Sequence, residues 1–263
     1  MSSVLRDILL DMAIGKNQLF DFDTPVERRA TASLKWDKYR NRDIIPLWVA
    51  DMDFRSPPAV IRALQQRVAY GVFGYTITPQ ELNEAVVVML KNLYGWEIEA
   101  ECLVWLPGLV TGLNVVCRAV GIKGDDVMTA VPVYPPFLTA PEHFRRNLVK
   151  VPLKEKNNRW QFDFDRLESS ITPKTRVFIL CNPHNPVGRV YARDELETLA
   201  AVCKKHDIII CSDEIHCGLI LDKDKPHIPV ATLDPETAAR TITLMAASKT
   251  FNLPGLGLSL IHI

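Results

Sequence analysis

Hydrophobic residues follow two alternating patterns along the chain: short uninterrupted apolar runs, and longer segments with helical spacing. The apolar runs are rich in β-branched and aliphatic residues, which is typical of strands buried on both faces. A helix is predicted over 193–206, between two of these runs. The alternation of strand and helix predicts an α/β domain around a mainly parallel sheet. The predicted strands are 127–131, 148–153, 177–181, 208–211 and 242–246.

Two further helices are predicted from their start signals. Ser56 followed by Pro57 indicates an N-cap and a proline at the first helical position, in a helix that runs towards Tyr70. Thr78 and Glu81 have the spacing of a capping box, in which each side chain satisfies the free backbone amide of the other. Apolar residues follow the second signal at helical spacing, and they are Val86, Met89, Leu90 and Leu93.

Composition limits the class of protein. The chain has 263 residues, of which 48% are hydrophobic and 24% charged, as in a globular domain and unlike a disordered tail. The formal net charge of zero argues against a nucleic-acid partner. No apolar run reaches the roughly 18 residues of a membrane span. Residues 1–18 lack the features of a secretory signal, so we expect a cytoplasmic protein.

The six cysteines and six histidines carry no metal or disulfide signature. No two cysteines have the C-x-x-C spacing, and most cysteines lie within apolar runs. We therefore expect free, buried thiols in a reducing compartment. The histidines are scattered, and no metal is predicted.

Two charged residues follow directly on apolar runs. Ligands of parallel α/β sheets bind at the carboxyl ends of the strands, so these positions are candidates for chemistry. Lys249 follows the last run, where an ammonium is costly unless its pKa falls or it forms a Schiff base; the alternative is a lysine that extends to the surface. Asp213 closes the run before it and is a candidate partner for a pyridinium nitrogen; the alternative is a cap or loop residue.

Two loops at strand ends complete the candidate site. Residues 182–188 hold two Asn-Pro steps, which impose extended or turn geometry and leave the asparagine amides free to face a ligand; the alternative is a surface turn. Residues 107–112 form a glycine-rich turn that opens a helix, with Gly121 as its stop. Its free amides would suit a phosphate, although such turns are common.

Together these motifs resemble the aminotransferase-like pyridoxal-phosphate enzymes of fold type I, within them the branch of cystathionine and cysteine-S-conjugate β-lyases related to MalY and PatB. The resemblance extends over residues 21–257, with motifs in matching order. Further segments that carry it are 22–26 with Arg28 and Arg29, 33–39, 47–54, 133–137 and 212–216.

The resemblance implies a role for each candidate residue. Lys249 would bind the cofactor, pyridoxal 5'-phosphate, as a Schiff base, and Asp213 would pair with its ring nitrogen. The remaining cofactor positions would be Asn185 at the ring oxygen with His216 nearby, Tyr134 on the ring face, and Leu109, Val110 and Ser248 at the phosphate, with Tyr75 at the phosphate of a neighbouring subunit. The substrate entrance would comprise Trp48, Val49, Ala50 and Asp51. The position of Tyr75 implies a homodimer.

The resemblance also implies the domain organisation. Residues 55–257 would form a large cofactor-binding domain, with a mainly parallel seven-stranded sheet between two helical layers. Residues 1–54 would form an N-terminal arm that contributes to a small domain, whose C-terminal part is missing here. Residues 258–263 resemble the translation of a transposon-type sequencing adapter and are predicted to be a non-native tail.

Two departures from the family pattern bear on activity. Ala246 stands where aminotransferases commonly carry a serine. The arginines that the family places after the lysine, including the one that binds the substrate carboxylate, would lie beyond Gly257. We therefore expect the chain as given to be a poor enzyme or an inactive one.

The activity expected from the resemblance is carbon–sulfur β-lysis. A cysteine S-conjugate such as cystathionine would be cleaved to a thiol, pyruvate and ammonia, with the amine of Lys249 as general base. An aminotransferase using the same residues is the alternative. A non-catalytic binding or regulatory protein on the same fold is a third reading, disfavoured because a pure binder has no need of Lys249. The preferred sulfur amino acid is left open.

Overall fold

The computed structural model describes residues 21–257 and 259–262. The prediction about a secretory signal in residues 1–18 lies outside the described residues, as does the first part of the predicted arm. Within the described part of the chain, no helix is both long enough and apolar enough to cross a membrane.

A seven-stranded sheet forms the centre of the molecule, in the order β1-β9-β8-β7-β6-β2-β3. Strand β9 is antiparallel to its neighbours β1 and β8, and the strands from β8 to β3 are parallel. Strands β4 and β5 form a separate hairpin. The predicted mainly parallel, seven-stranded sheet is confirmed. The strands are β1 (Leu103–Leu106), β2 (Asp126–Val131), β3 (Asn147–Pro152), β4 (Lys154–Lys156), β5 (Arg159–Gln161), β6 (Thr175–Cys181), β7 (Ile209–Asp213), β8 (Thr241–Met245) and β9 (Ser259–His262).

Helices cover both faces of the sheet. Helices α4 and α5 contribute to the core on one face, and α6 and α7 contribute to the core on the other. Helix α3 contributes to a third cluster of buried residues, together with β1, β8 and β9. The three-layer prediction is therefore confirmed. The helices are α1 (Leu34–Asp37), α2 (Pro58–Tyr70), α3 (Gln80–Tyr94), α4 (Leu109–Ala119), α5 (Pro136–His143), α6 (Phe164–Ser169), α7 (Arg193–Lys205), α8 (Pro235–Ala239) and α9 (Ala247–Thr250).

Strand β6 shows why the apolar runs are uninterrupted. Val177 and Ile179 belong to the core under α4, whereas Phe178 and Leu180 belong to the core under α7. Successive side chains of a strand point to opposite faces, so a strand covered on both sides needs apolar residues at every position. Burying each such side chain contributes about 1.5–3 kcal/mol.

Both predicted helix starts are corrected. Pro57, and not Ser56, is the N-cap of α2, and the hydroxyl of Ser56 donates instead to the carbonyl of Asn252 at 3.3 Å. The capping box predicted for Thr78 and Glu81 is wrong. Helix α3 begins one residue later than that box requires, and its N-cap is Pro79, whose side chain has no oxygen to accept an amide.

Two other predictions concern the end of helix α4 and the last residues of the sequence. Helix α4 ends at Ala119, and Gly121 follows with φ +78°, as expected of a glycine that stops a helix. Residues 259–262, part of the predicted non-native tail, form β9 between β1 and β8, with Leu260 and Ile261 buried. The origin of these residues stays a prediction.

Candidate active site

Lys249 lies in the short helix α9, four residues after the end of β8. Its side chain is half-buried, and Nζ donates a hydrogen bond to the carbonyl oxygen of Ala50 at 3.0 Å. Burial lowers the pKa of the amine, and the negative charges of Asp51 and Asp213 oppose that shift. The amine is thus directed at a carboxylate-lined site, and the partial burial favours its neutral, nucleophilic form.

Asp213 is the last residue of β7 and is almost completely buried. Its Oδ1 accepts a hydrogen bond from the backbone amide of Ile215 at 3.1 Å. Burial raises the pKa of this carboxyl to about 7; the nearby Glu214 adds to the shift, and Lys249 opposes it. A cation held against Asp213 would favour its ionised form, because opposite charges stabilise each other in a desolvated site.

His216 and Asn185 meet at one cavity of about 730 Å³, which Ala50 also lines. The imidazole of His216 hydrogen-bonds the carbonyl of Pro183, and its pKa is lowered by burial and by the charge of Lys249. The charge of Lys249 therefore acts on His216, although Lys249 does not itself line this cavity. Residues 182–188 form the predicted turn, in which the amide of Gly188 donates to the carbonyl of His184 at 2.9 Å.

The start of α4 provides the predicted free amides. Gly108 is the N-cap, and the helical geometry leaves the amides of Leu109 and Val110 without acceptors inside the helix. Gly112 lets this helix approach the sheet, since a Cβ there would lie 3.0 Å from Cδ2 of Leu244 on β8. The helix that would hold a phosphate is thereby packed on the strand that leads to Lys249.

Three predicted cofactor residues have less defined positions. Tyr134 follows β2 with 42% of its surface exposed, so its ring is available to stack on a ligand. Ser248 precedes Lys249 in α9 and is partly exposed. Tyr75 is fully exposed, in the segment between α2 and α3. Their roles stay predictions.

The predicted entrance residues divide into two groups. Ala50 contacts Lys249 directly, and Oδ1 of Asp51 is buried with no hydrogen-bond partner among the described residues. Val49 is half-buried between these residues and Trp48. Trp48 faces the segment around helix α1 instead. Its Nε1 donates to the carbonyl of Lys35 at 3.2 Å, and Nζ of Lys38 lies 3.9 Å from its ring centre.

Residues 48–54, here called the strap, are held by side chains to which the sequence reasoning gave no role. The guanidinium of Arg28 pairs with Asp51 at 3.1 Å and with Asp53 at 3.0 Å. The buried ammonium of Lys35 pairs with Asp53 at 2.7 Å and donates to the carbonyl of Asp51 at 3.0 Å. The alternation of acidic and apolar residues in the strap is the one sequence signal that pointed to this cluster.

Asn252 joins the strap to the lysine helix. Its Oδ1 accepts from the amide of Met52 at 3.0 Å, while Nδ2 donates to the carbonyls of Met52 at 3.1 Å and Phe54 at 3.0 Å. Asn252 has φ +55°, a left-handed conformation that asparagine tolerates better than most residues. The strap is thus held by Arg28 and Lys35 on one side and by Asn252, after Lys249, on the other.

The donor set suits pyridoxal 5'-phosphate. Lys249 offers a primary amine for an aldehyde, and Asp213 offers a buried carboxyl that lacks a cation, as a protonated ring nitrogen would provide. The first amides of α4 offer a seat for a phosphate. Among the described residues, no group of three or more His, Cys, Asp or Glu side chains could hold a metal ion. The six cysteines are free thiols; four are buried, whereas Cys102 and Cys217 are only partly buried.

Comparison with known proteins identifies the family. The sequence model described as aminotransferase class I and II matches residues 42–262. The cystathionine β-lyase PatB of Bacillus subtilis is 42% identical over 92% of this chain and 64% of its own length. The crystal structure of OvoB matches with a TM-score of 0.90 and 46% identity, over 93% of this chain and 64% of that one.

Cystalysin from Treponema denticola, whose crystal structure contains a pyridoxal 5'-phosphate cofactor, matches with a TM-score of 0.88 and 35% identity, over 93% of this chain and 64% of that one. The chain therefore spans about 64% of the length of each of these three proteins. The family model covers more than half of the chain, and the fold agrees with it. The chain belongs to the aminotransferase class I and II family.

Proposed function

We propose that the full-length protein is a pyridoxal-phosphate-dependent carbon–sulfur β-lyase, which cleaves cystathionine or another cysteine S-conjugate to a thiol, pyruvate and ammonia. The observation that carries the proposal is the position of Lys249, whose amine touches the strap and is influenced by the charges of Asp51 and Asp213. PatB, which is named as a cystathionine β-lyase, supports the choice of reaction, and cystalysin supports the choice of cofactor.

Lys249 and the predicted residues at the strand ends would hold the cofactor. Lys249 would bind the aldehyde carbon, Asp213 the ring nitrogen and Asn185 the ring oxygen, with Tyr134 on the ring face. The phosphate would accept hydrogen bonds from the amides of Leu109 and Val110 and from the hydroxyl of Ser248. Bound pyridoxal phosphate supplies an electron-withdrawing ring that stabilises negative charge at the substrate α-carbon.

The chain's own residues then govern proton transfer. Asp213, once paired with a cationic ring nitrogen, is held ionised and keeps that nitrogen protonated. The amine of Lys249, displaced from the aldehyde carbon by the substrate amine, would remove the α-proton of the substrate as general base, for which its lowered pKa is suited. The β-thiolate leaves and takes up a proton, and one water molecule converts the remaining three-carbon unit to pyruvate and ammonia. The strap contacts the amine of Lys249 through the carbonyl of Ala50.

An aminotransferase is the second candidate, favoured by the description of the family itself. Both reactions begin with the same proton removal, so products must distinguish them. The full-length protein should release thiol and pyruvate from cystathionine without an added keto acid. Amino transfer that requires a keto acid and releases neither product would overturn the lyase proposal in favour of the aminotransferase.

The assembly and location form the remaining part of the proposal. The full-length protein would act as a cytoplasmic homodimer in which Tyr75 reaches the phosphate site of the partner subunit. In support, α2 has no buried residue, and the segment that carries Tyr75 is exposed throughout. Light scattering should give the mass of a dimer, and Tyr75→Phe should weaken cofactor binding. A monomer with full cofactor affinity would overturn this part.

A further inference from the structure

A buried polar cluster lies at the end of strand β7, around Ser212 and the residues that contact Glu214. Successive residues of a strand alternate between faces, so Ser212 and Asp213 point in opposite directions. The hydroxyl of Ser212 donates to Oε1 of Glu214 at 2.8 Å, and Nε2 of His227 lies 2.7 Å from Oε2 of the same carboxyl. Ser212, Glu214 and His227 are all buried.

Glu214 is a carboxyl with almost no contact with solvent, so it depends on protein donors. A third donor is the amide of Val230, 3.1 Å from Oε1. Among the three donors, His227 makes the shortest contact and is the one able to carry a positive charge. An unsatisfied buried carboxylate is costly, so removal of the His227 donor would force Glu214 to move or to take up a proton.

His227 is itself fixed by its surroundings. The ring of Tyr94 on α3 packs edge-on against the imidazole, with ring centres 5.6 Å apart and an interplanar angle of 77°. The hydroxyl of Tyr94 forms a hydrogen bond with Cys217, directly after His216. The imidazole is therefore contacted both by Glu214 and by the ring of Tyr94, which suits a residue that positions another group.

The cluster connects to the active site through the backbone of residues 213–216. The amide of Glu214 donates to the carbonyl of Leu244 on β8 at 2.9 Å. The carbonyl of Asp213 accepts from the amide of Asn182 at 3.0 Å. Burial is the main cause of the raised pKa of Asp213, and the charge of Glu214 raises it further. Glu214 therefore affects Asp213 in two ways. Its position fixes the adjoining backbone, and its charge raises the pKa of the Asp213 carboxyl.

We propose that His227 is a positioning residue for the cofactor site: through its hydrogen bond to Glu214 it fixes the turn 213–216, which holds Asp213 towards the cofactor ring nitrogen and His216 beside Lys249. The inference rests on the proposed function, because the ring nitrogen is the assigned partner of Asp213. His227 lies on the far side of β7 and would touch neither cofactor nor substrate.

The test compares three variants of the full-length protein. His227→Leu removes the donor, His227→Gln retains an amide donor near Nε2, and His143→Leu is a matched control, since His143 contacts Asn114 at the exposed end of α5. The measurements are the dissociation constant for pyridoxal phosphate, the pH at which bound cofactor changes colour, and the thermal midpoint. His227→Leu should weaken cofactor binding about tenfold and shift the colour change. His227→Gln should recover most of the affinity, and His143→Leu should match wild type.

Each outcome separates the inference from the proposed function. Wild-type protein that takes up no pyridoxal phosphate would overturn the proposed function and the inference together. Wild-type protein that binds it, with His227→Leu unchanged or altered only in thermal midpoint, would overturn the inference alone. If His227→Leu fails to fold, Glu214→Gln retains the side-chain volume but removes the charge beside Asp213. A colour change at the wild-type pH in that variant would overturn the inference.

Discussion

The amine of Lys249 donates to the carbonyl of Ala50, 199 residues earlier in the chain, at 3.0 Å. Three residues after the lysine, Asn252 makes three hydrogen bonds to Met52 and Phe54 of the same strap. The segment that carries the cofactor lysine and the segment at the substrate entrance are therefore held together, and a change in one should be felt in the other.

Asn252→Ala should loosen this connection. The substitution leaves the strap without three hydrogen bonds, and we expect the free energy of unfolding to fall by about 1–3 kcal/mol. Urea unfolding measures the loss, and hydrogen exchange should increase in residues 50–54. Asn92→Ala, at an exposed position of α3, is the control and should change stability little. Equal stability of the two variants would show that Asn252 does not hold the strap.

Asp213 should make the stability of the cofactor-free protein depend on pH. Its carboxyl has a pKa of about 7 in the folded state and an ordinary value of 3.8. Below the ordinary value both states hold the proton. Between the two values only the folded state holds it, so the free energy of unfolding falls as the pH rises, and above about 7 the contribution is lost.

Asp213→Asn isolates this contribution, because asparagine does not titrate. The variant should gain stability relative to wild type as the pH rises from about 4 to about 7. Urea unfolding of both proteins across that range, without cofactor, provides the measurement. A constant difference between the two proteins would show that the carboxyl titrates normally.

Gly218 allows the loop after His216 to pack closely against Thr250 of helix α9. A Cβ at this position would lie 2.5 Å from Oγ1 of Thr250, which is closer than side chains approach one another. Gly218→Ala should therefore displace α9 and cost about 1–3 kcal/mol of stability, together with cofactor affinity. Gly255→Ala is the matched control, since nothing lies within 4 Å of a Cβ there.

The double variant Gly218→Ala/Thr250→Ala tests the cause of that loss. Removal of Oγ1 and Cγ2 of Thr250 leaves only its Cβ near the new methyl group, at 3.1 Å. Part of the lost stability should return relative to Gly218→Ala. The single variant Thr250→Ala is measured as well. If the loss of stability in the double variant equals the sum of the losses in Gly218→Ala and Thr250→Ala, the predicted clash is absent.

The strands that the sequence predicts are those buried on both faces, because continuous apolar runs are their direct consequence. Strand β1 is not among the predicted strands, since Val104 is exposed, Trp105 and Leu106 are only partly buried, and its apolar run merges into the turn at Pro107. The β4–β5 hairpin is largely polar and exposed, so no apolar pattern distinguishes it from a loop. Both helix starts lie one residue later than predicted, because Pro57 and Pro79 are the N-caps in place of Ser56 and Thr78.

The site could be predicted where it depends on the ends of parallel strands. Asp213 ends β7, and Lys249 and Asn185 follow β8 and β6. The topology of the sheet alone brings such positions to one edge. The anchoring of the strap could not be predicted in this way. Arg28 and Asn252 reach it from opposite ends of the chain, and local spacing contains no information about pairs so distant in sequence.

Borohydride capture of the cofactor tests the central claim most directly. The full-length protein, incubated with pyridoxal 5'-phosphate and reduced, should carry the phosphopyridoxyl group on the peptide that contains Lys249, and peptide mass spectrometry identifies the modified residue. Lys249→Ala, which also loses the hydrogen bond to the carbonyl of Ala50, should remain unmodified at that peptide. A phosphopyridoxyl group on another lysine, or equal labelling of wild type and Lys249→Ala, would contradict the account.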